Sequence, residues 1–328
     1  MRTRRPLALL QYRSLIVLLL MFVAASLLHP LFLTPGNLGQ VLLQNSIVGI
    51  LAVGMTFVVL TGGIDLSVGS VMLCSGVITA GLLREGHVGP VVAMFACIGI
   101  GAFLGLLNGI MIAGLRLPPF IATLAMMVGA ISVGQLYSGG SPIIIGDKMP
   151  PFFQAFDAVI FAPPTTQRTD PHAFPGIPVA GLIFLAAAVI AWIVLTRMRY
   201  GRYVYALGGN EEATRLSGVN TRMVEASVYI ISGMLAGVAA LIYTARLQSG
   251  QALYGLNLEL DAIAAAVIGG ASLMGGVGNI GGTFIGVLFV GFLINVMGLR
   301  NVDPYAQGGI RALAIILGVL IQTRKKGS

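Results

Sequence analysis

Residues 54–70 read GMTFVVLTGGIDLSVGS, and this run joins two long apolar stretches through a pair of glycines and an aspartate. A helix needs about 20 apolar residues to cross a bilayer. Of the flanking stretches, roughly 38–61 exceeds this length and 67–83 approaches it. A glycine pair between such stretches permits a tight turn or unwound backbone. The run therefore predicts a hairpin of two membrane-spanning helices.

Two polar residues of this run, Asp65 and Ser67, have two possible roles. Either side chain can cap the helix that follows, where a carboxylate also gains from the helix dipole. The alternative is a transport role for Asp65, beside Gly62 and Gly63, because ionisable groups near membrane depth are rare and often functional. Both roles are compatible with the sequence.

The composition of the whole chain extends the membrane interpretation beyond this hairpin. Of the 328 residues, 57% are hydrophobic and 9% are charged, and the mean hydropathy is +0.94. A soluble domain carries about 25% charged residues, so this composition excludes a soluble globule. The 45 glycines suit close helix contacts in lipid. We therefore predict one all-α polytopic membrane domain over residues 1–328, embedded in the lipid bilayer.

Hydropathy along the chain predicts about ten transmembrane helices. Their approximate bounds are 15–33, 38–61, 67–83, 88–114, 119–138, 177–196, 223–245, 260–274, 280–298 and 305–322. With ten crossings, 13 of the 19 lysines and arginines share one side with both chain ends: Arg2, Arg4, Arg5, Arg13, Arg116, Arg197, Arg199, Arg202, Arg215, Arg222, Arg324, Lys325 and Lys326. Because cytoplasmic loops carry the excess of basic residues, we predict cytoplasmic N- and C-termini.

Two connections are longer than turns. Residues 139–176 are rich in proline and form a predicted long external loop, irregular except for one short helix near 151–158. Residues 197–222 form the main cytoplasmic loop.

The cytoplasmic loop contains a short predicted helix. Asn210 is a good N-cap, Glu211 and Glu212 complement the helix dipole, and Gly218 can stop the helix in a left-handed conformation. The segment comprises Asn210, Glu211, Glu212, Ala213, Thr214, Arg215, Leu216, Ser217 and Gly218. A helix this short is marginal in water, so we expect a groove of a partner protein to hold it. The alternative is a lipid-facing surface helix anchored by arginines of the same loop.

Motifs for energy conversion and catalysis are absent from the sequence. It has no GxxxxGK[ST] phosphate-binding loop, so we expect ATP hydrolysis on a different chain. Residues 276–281 match GxGxxG, but the acidic residue expected further along a dinucleotide site is missing. Three isolated histidines and two separated cysteines lack the spacing of a metal site. We predict no enzyme activity, no cofactor, no metal and no nucleic-acid partner.

Polar residues inside the predicted spans are few and uncharged, which suits a pathway for a neutral, hydroxyl-rich solute. An ion-coupled carrier would more often bury several acidic groups. The candidate pathway or gate residues are Asn45, Thr56, Gly62, Gly63, Asp65, Ser67 and Asn108.

Three stretches, in one order along the chain, resemble a known family. They are GMTFVVLTGGIDLSVGS at 54–70, GGNEEATRLSGVN at 208–220, and ELDAIAAAVIGGASLMGGVGNIGGTFIGVLFVGFLINVMGL at 259–299. With the hydropathy between them, the chain resembles the membrane subunit of bacterial ABC importers for monosaccharides, the ribose-type permeases.

This resemblance implies a ten-helix permease of the bacterial inner membrane that imports a ribose-like pentose or related sugar by alternating access. It implies a dimer with a second copy or a paralogue, a cytoplasmic ABC ATPase and a periplasmic sugar-binding protein. By position, 210–218 would be the coupling helix that docks on the ATPase, and the segment around Asp65 would lie near the pathway. The alternatives are an ion-coupled secondary carrier or channel for a small neutral solute, and a membrane enzyme or scaffold.

Overall fold

Long apolar runs bounded by proline, glycine and capping residues form the helices. The structure is a computed structural model that describes residues 5–86, 88–162, 172–253 and 257–323. The α-helices in this part of the chain are α1 Arg5–Leu28, α2 Pro35–Leu60, α3 Val68–Glu85, α4 Pro90–Gly109, α5 Pro119–Ser138, α6 Pro151–Gln154, α7 Val179–Arg197, α8 Arg199–Gly209, α9 Glu211–Leu216, α10 Thr221–Leu247, α11 Leu258–Ile268, α12 Ile280–Leu299 and α13 Pro304–Thr323. A π-helix, Ile110–Gly114, extends α4.

Some sequence predictions fall outside the described residues. They concern part of the external loop, 163–171, and five of the predicted inner basic residues: Arg2, Arg4, Arg324, Lys325 and Lys326.

Seven helices in the described part of the chain are long and apolar enough to cross a membrane: α2, α3, α4 with its π-helical extension, α5, α7, α10 and α12. Thr34 caps α2 by accepting a hydrogen bond from the backbone N–H of Asn37. The first turns of α2, α4 and α5 contain Pro35, Pro90 and Pro119, at positions where a backbone N–H would have no hydrogen-bond partner within the helix. The protein is therefore an all-α polytopic membrane protein, as the sequence predicted.

Two of the remaining predicted spans end earlier than expected, whereas α13 matches its predicted span within one residue at each end. Helix α1 ends at Leu28 instead of 33, because Pro30 follows and disfavours further helix. Helix α11 ends at Ile268 instead of 274, because Gly269 and Gly270 follow and Gly270 has a left-handed φ of +104°. With 11 residues, α11 covers only about half of a bilayer core.

Glycines bring the central helix α10 directly against α4. A β carbon on Gly101 would overlap the carbonyl oxygen of Gly233, and one on Gly233 would overlap that of Gly101. A β carbon on Gly237 would lie 2.8 Å from the carbonyl oxygen of Cys97. The backbones of the two helices therefore touch, which confirms here the close helix contacts expected from the many glycines.

The predicted external loop contains more regular structure than expected. Two short antiparallel strand pairs cross-link it: β1 Ile143–Ile144 with β4 Ser249–Gly250, and β2 Val159–Ile160 with β3 Ile177–Pro178. Helix α6 and a 3-10 turn at Ala155–Asp157 lie between β1 and β2. The expectation of an irregular segment was wrong here, because β1 pairs with residues about 100 positions away, a contact that local patterns do not show.

Candidate functional site

A buried hydrogen-bonded cluster, which we call the Asp65 cluster, lies where α2 turns into α3. Asp65 Oδ1 accepts hydrogen bonds from the backbone N–H of Ser67 at 2.9 Å and from Ser67 Oγ at 2.6 Å. Asp65 Oδ2 accepts a hydrogen bond from Ser232 Oγ on α10 at 3.0 Å. On α4, Asn108 Nδ2 donates to Ser67 Oγ at 2.8 Å. The Asp65 cluster thus ties the α2–α3 connection to α4 and α10.

The Asp65 carboxylate is stabilised by hydrogen bonds in place of a cation. It is 2% exposed and has no ion pair within the part of the chain that the structure describes. Burial has the largest effect and raises the pKa of Asp65 above its ordinary value, whereas three donors and the nearby N-terminus of α3 favour its negative charge. The Ser67 side chain occupies the N-cap position without capping α3, because it bonds to Asp65 and Asn108. Of the two caps that the sequence allowed, the one from the Ser67 side chain is therefore not formed.

Two further polar atoms are buried beside the Asp65 cluster. Asn108 Oδ1 and the Tyr229 hydroxyl have no hydrogen-bond partner among the described residues. A β carbon on Gly63 would overlap the Tyr229 hydroxyl, so this close approach requires glycine. Ser232 is one of the uncharged polar residues inside the predicted spans, but neither it nor Tyr229 was among the predicted pathway residues, although their spacing of three on α10 places both on one helix face.

Two predicted pathway residues, Asn45 and Thr56, lie on α2 outside the Asp65 cluster. The Asn45 amide donates to the carbonyl of Val41 at 2.7 Å and packs against Gly291 of α12. The hydroxyl oxygens of Thr56 and Thr283 lie 2.7 Å apart and share a hydrogen bond. Both residues therefore belong to the contact between α2 and α12. Of the predicted pathway residues, Asp65, Ser67 and Asn108 therefore lie together, whereas Asn45 and Thr56 lie apart from them.

Helix α9 begins and ends at the predicted signals. The backbone N–H of Ala213 donates to Asn210 Oδ1 at 2.9 Å, which confirms the N-cap. Gly218 follows the helix with a left-handed φ of +84°. Arg215 forms an exposed ion pair with Glu212 at 2.7 Å. The hydrogen bond and charge of Arg215 lower the pKa of Glu212, and the same contacts raise the pKa of Arg215.

A cleft of about 870 Å³ separates α9 from the α4–α5 connection. One wall is formed by residues 112–119 and the other by residues of α9 and the start of α10. Its charged lining consists of Arg116, Arg215, Arg222, Glu211, Glu212 and Glu225. Such a charged surface favours contact with a polar partner over contact with lipid.

A charged pair that the sequence patterns did not predict joins α11 to α13. Arg311 Nη1 lies 3.3 Å from Asp261 Oδ2, and Asp261 is 6% exposed. The expectation that the spans hold only uncharged polar residues was therefore wrong. An isolated arginine within the apolar run 305–322 was the available signal, because a charge at that depth needs a partner.

Comparisons with known proteins find similar sequences over nearly the whole chain. The family described as "Branched-chain amino acid transport system / permease component" matches residues 37–320. The chain is 41% identical over 328 residues to the ribose import permease protein RbsC of Escherichia coli strain K12, covering 97% of this chain and 95% of that protein.

Two further relatives are similar over comparable lengths. The ribose import permease protein RbsC of Bacillus subtilis strain 168 is 40% identical over 309 residues, covering 94% of this chain and 91% of that protein. The D-allose transport system permease protein AlsC of Escherichia coli strain K12 is 36% identical over 310 residues, covering 93% and 90% respectively. No solved structure matches the chain.

Proposed function

The chain belongs to the family of ribose-type ABC importer permeases, and from this membership we propose its substrate, its partners and its coupling to ATP. It is the multi-pass permease subunit of a monosaccharide ABC importer of the inner membrane, and it is not an enzyme. The observation that carries this assignment is the 41% identity to a ribose import permease across 97% of the chain.

The proposed substrate is ribose or a closely related pentose. Identities of 41% and 40% to two ribose permeases, against 36% to the D-allose permease, support this choice. A neutral sugar also agrees with the uncharged hydroxyl and amide groups at the α2–α12 contact.

The proposed topology has about ten crossings, with both termini and α9 in the cytoplasm and the loop 139–176 outside. Seven long apolar helices support seven crossings, and α1, α11 and α13 would supply the others. In this topology 13 of the 19 basic residues lie on the α9 side, which is the distribution expected of a cytoplasmic face.

The proposed contact with the ATPase is α9 with its flanking caps, residues 210–218. Leu216 at the end of this helix is 76% exposed, and its burial in a partner's groove would stabilise the complex. The Glu212–Arg215 pair and the charged cleft beside α9 offer polar contacts around that apolar centre. This arrangement of an apolar anchor within a polar rim is typical of protein interfaces.

The Asp65 cluster is proposed to belong to the gate at the α9 end of the bundle. Its hydrogen bonds hold α3, α4 and α10 together at this end, so opening a pathway here requires their rearrangement. Asn45 and Thr56 would act at the α2–α12 contact, which separates when these helices move apart.

The remaining proposed partners are a second permease copy or paralogue and a periplasmic sugar-binding protein. The external segment presents exposed apolar side chains at Ile144, Phe161 and Phe174 for the binding protein. In the proposed cycle, the loaded binding protein docks there and ATP binding closes the ATPase dimer. That movement displaces α9 and switches the opening of the bundle from one side to the other.

Reconstitution tests this function. The chain is placed in proteoliposomes with or without its ATPase and binding protein, and uptake of radiolabelled ribose is measured. We expect uptake only when ATP and all three components are present, with competition by ribose stronger than by D-allose. Uptake by the chain alone under an ion gradient would refute the proposal and support an ion-coupled carrier.

A further inference from the structure

Three distant segments meet backbone to backbone at the α9 end of the bundle. They are residues 60–63 at the end of α2, 205–208 at the end of α8, and 274–278 before α12, and we call their meeting point the glycine junction. The backbone N–H of Gly276 donates to the carbonyl of Leu60 at 2.9 Å. The Tyr205 hydroxyl donates to the carbonyl of Gly278 at 2.9 Å. The junction therefore joins the three stretches that carry the sequence motifs.

Close approach at the glycine junction excludes side chains. A β carbon on Gly208 would overlap the carbonyl oxygen of Leu60 and lie 2.6 Å from the backbone nitrogen of Gly276. A β carbon on Gly275 would lie 2.7 Å from the carbonyl oxygen of Gly208 and 2.9 Å from the nitrogen of Gly62. Gly62, Gly275 and Gly276 also have left-handed φ values of +83°, +79° and +72°. Gly208 therefore requires glycine for space, Gly62 for conformation, and Gly275 for both.

Each segment of the glycine junction leads directly to an element that transport must move. Gly208 lies two residues before Asn210, which caps α9. Residues 60–63 continue into the Asp65 cluster, which holds α3, α4 and α10. Residues 274–278 precede Asn279, whose side chain caps α12 by accepting from the N–H of Gly282 at 2.8 Å. A displacement of α9 therefore has a short covalent and hydrogen-bonded route to all these helices.

We propose that the glycine junction is the joint through which movement of α9 reaches the gate, with Gly208 as its central positioning residue. This inference rests on the proposed function, because it takes α9 as the contact with the ATPase. Flexible side chains between moving parts would absorb displacement by changing rotamers. Contacting backbones have no such freedom, and close-packed contacts transmit strain.

Two neighbouring glycines provide the test. Gly208→Ala places a methyl group against the backbones of Leu60 and Gly276, whereas a β carbon on Gly209 meets nothing within 4 Å. The wild-type, Gly208→Ala and Gly209→Ala permeases are each reconstituted with the ATPase and binding protein. Four quantities are measured: amount in the membrane, co-purification of the ATPase, ATP hydrolysis and uptake of ribose.

We expect Gly208→Ala to lower ribose uptake by at least about tenfold, because a methyl group inserted into a close-packed contact forces the backbones apart. Membrane amount, ATPase co-purification and basal hydrolysis should stay within about twofold, since α9 itself is unchanged. Gly209→Ala should import ribose like the wild type. Normal uptake by Gly208→Ala, or equal loss in both variants, would overturn the proposal.

If Gly208→Ala does not accumulate in the membrane, a second pair of variants tests the proposal about the glycine junction. Tyr205→Phe removes the hydrogen bond from α8 to Gly278, and Tyr200→Phe removes a hydrogen bond from the same helix to Ser227. Loss of one hydrogen bond should lower uptake per ATP hydrolysed by roughly twofold to tenfold in Tyr205→Phe only. Equal effects in the two variants would overturn the proposal.

Failure of this inference differs from failure of the proposed function. The proposed function fails if the wild-type chain imports ribose without the ATPase. The proposal about the glycine junction fails if the variants do not behave as expected while the wild type retains ATP-dependent uptake.

Discussion

Replacement of Asp65 separates a role through hydrogen bonds from a role through charge. Asp65→Ala removes the acceptor of three hydrogen bonds and leaves the Ser67 N–H and the Ser232 hydroxyl buried without that partner. A buried donor without an acceptor costs about 1–3 kcal/mol, so we expect the free energy of unfolding to fall by roughly 2–6 kcal/mol. Asp65→Asn keeps one oxygen for both Ser67 donors, and its amide can donate to Ser232 once that hydroxyl rotates.

The assay is unfolding of the purified permease in detergent by titration with a denaturing surfactant, followed by far-ultraviolet circular dichroism. We expect Asp65→Asn to lose only about 1 kcal/mol, which reflects the weaker neutral hydrogen bonds. Sugar uptake by Asp65→Asn should therefore stay within about tenfold of the wild type.

Two results would refute this reasoning about Asp65. An alanine variant as stable as the wild type would show that the hydrogen bonds do not hold the α2–α3 turn. An asparagine variant that folds normally but imports no sugar would show that transport requires the charge itself.

Three further predictions concern other contacts. Gly101→Ala should lower the free energy of unfolding by about 1–3 kcal/mol, because its β carbon overlaps the backbone of α10. Gly99 faces open space, so Gly99→Ala should leave this free energy unchanged, and equal losses in the two variants would contradict the prediction. Asp261→Asn and Arg311→Gln should each destabilise the protein by about 1–3 kcal/mol, because each removes one partner of a half-buried hydrogen-bonded pair. The double variant should lose less than the sum, whereas strict additivity would argue against a coupled pair. Leu216→Ala should weaken ATPase binding about tenfold in a titration with purified ATPase, without lowering stability, and unchanged affinity would exclude this contact.

Local signals in the sequence were sufficient for the membrane class and for the ends of α9. Seven apolar runs became long helices because each contains enough apolar residues to cross a bilayer. Asn210 and Gly218 bounded α9 as predicted, because a cap and a left-handed stop act on their immediate neighbours. Such features depend on a few consecutive residues, so one sequence reveals them.

Contacts between distant residues were beyond the reach of the same patterns. The Asp261–Arg311 pair spans 50 positions, and the Asp65–Ser232 hydrogen bond spans 167. Hydropathy placed these residues in or near spans but gave no information about which helix faces meet. For the same reason Asn45 and Thr56 were grouped with Asp65, although they face α12.

Gly208 and Gly209 show why this distinction matters for function. Adjacent glycines in one motif have the same conformational freedom, so the sequence assigns them the same role. Their surroundings differ, because a β carbon on Gly208 meets two other backbones and one on Gly209 meets none. In the proposed joint, transmission of movement depends on that backbone contact and not on the flexibility of glycine. Alanine variants at the two positions therefore distinguish two roles of the motif. If it supplies a flexible turn, both variants lose ribose uptake. If it supplies a rigid joint, only Gly208→Ala loses ribose uptake.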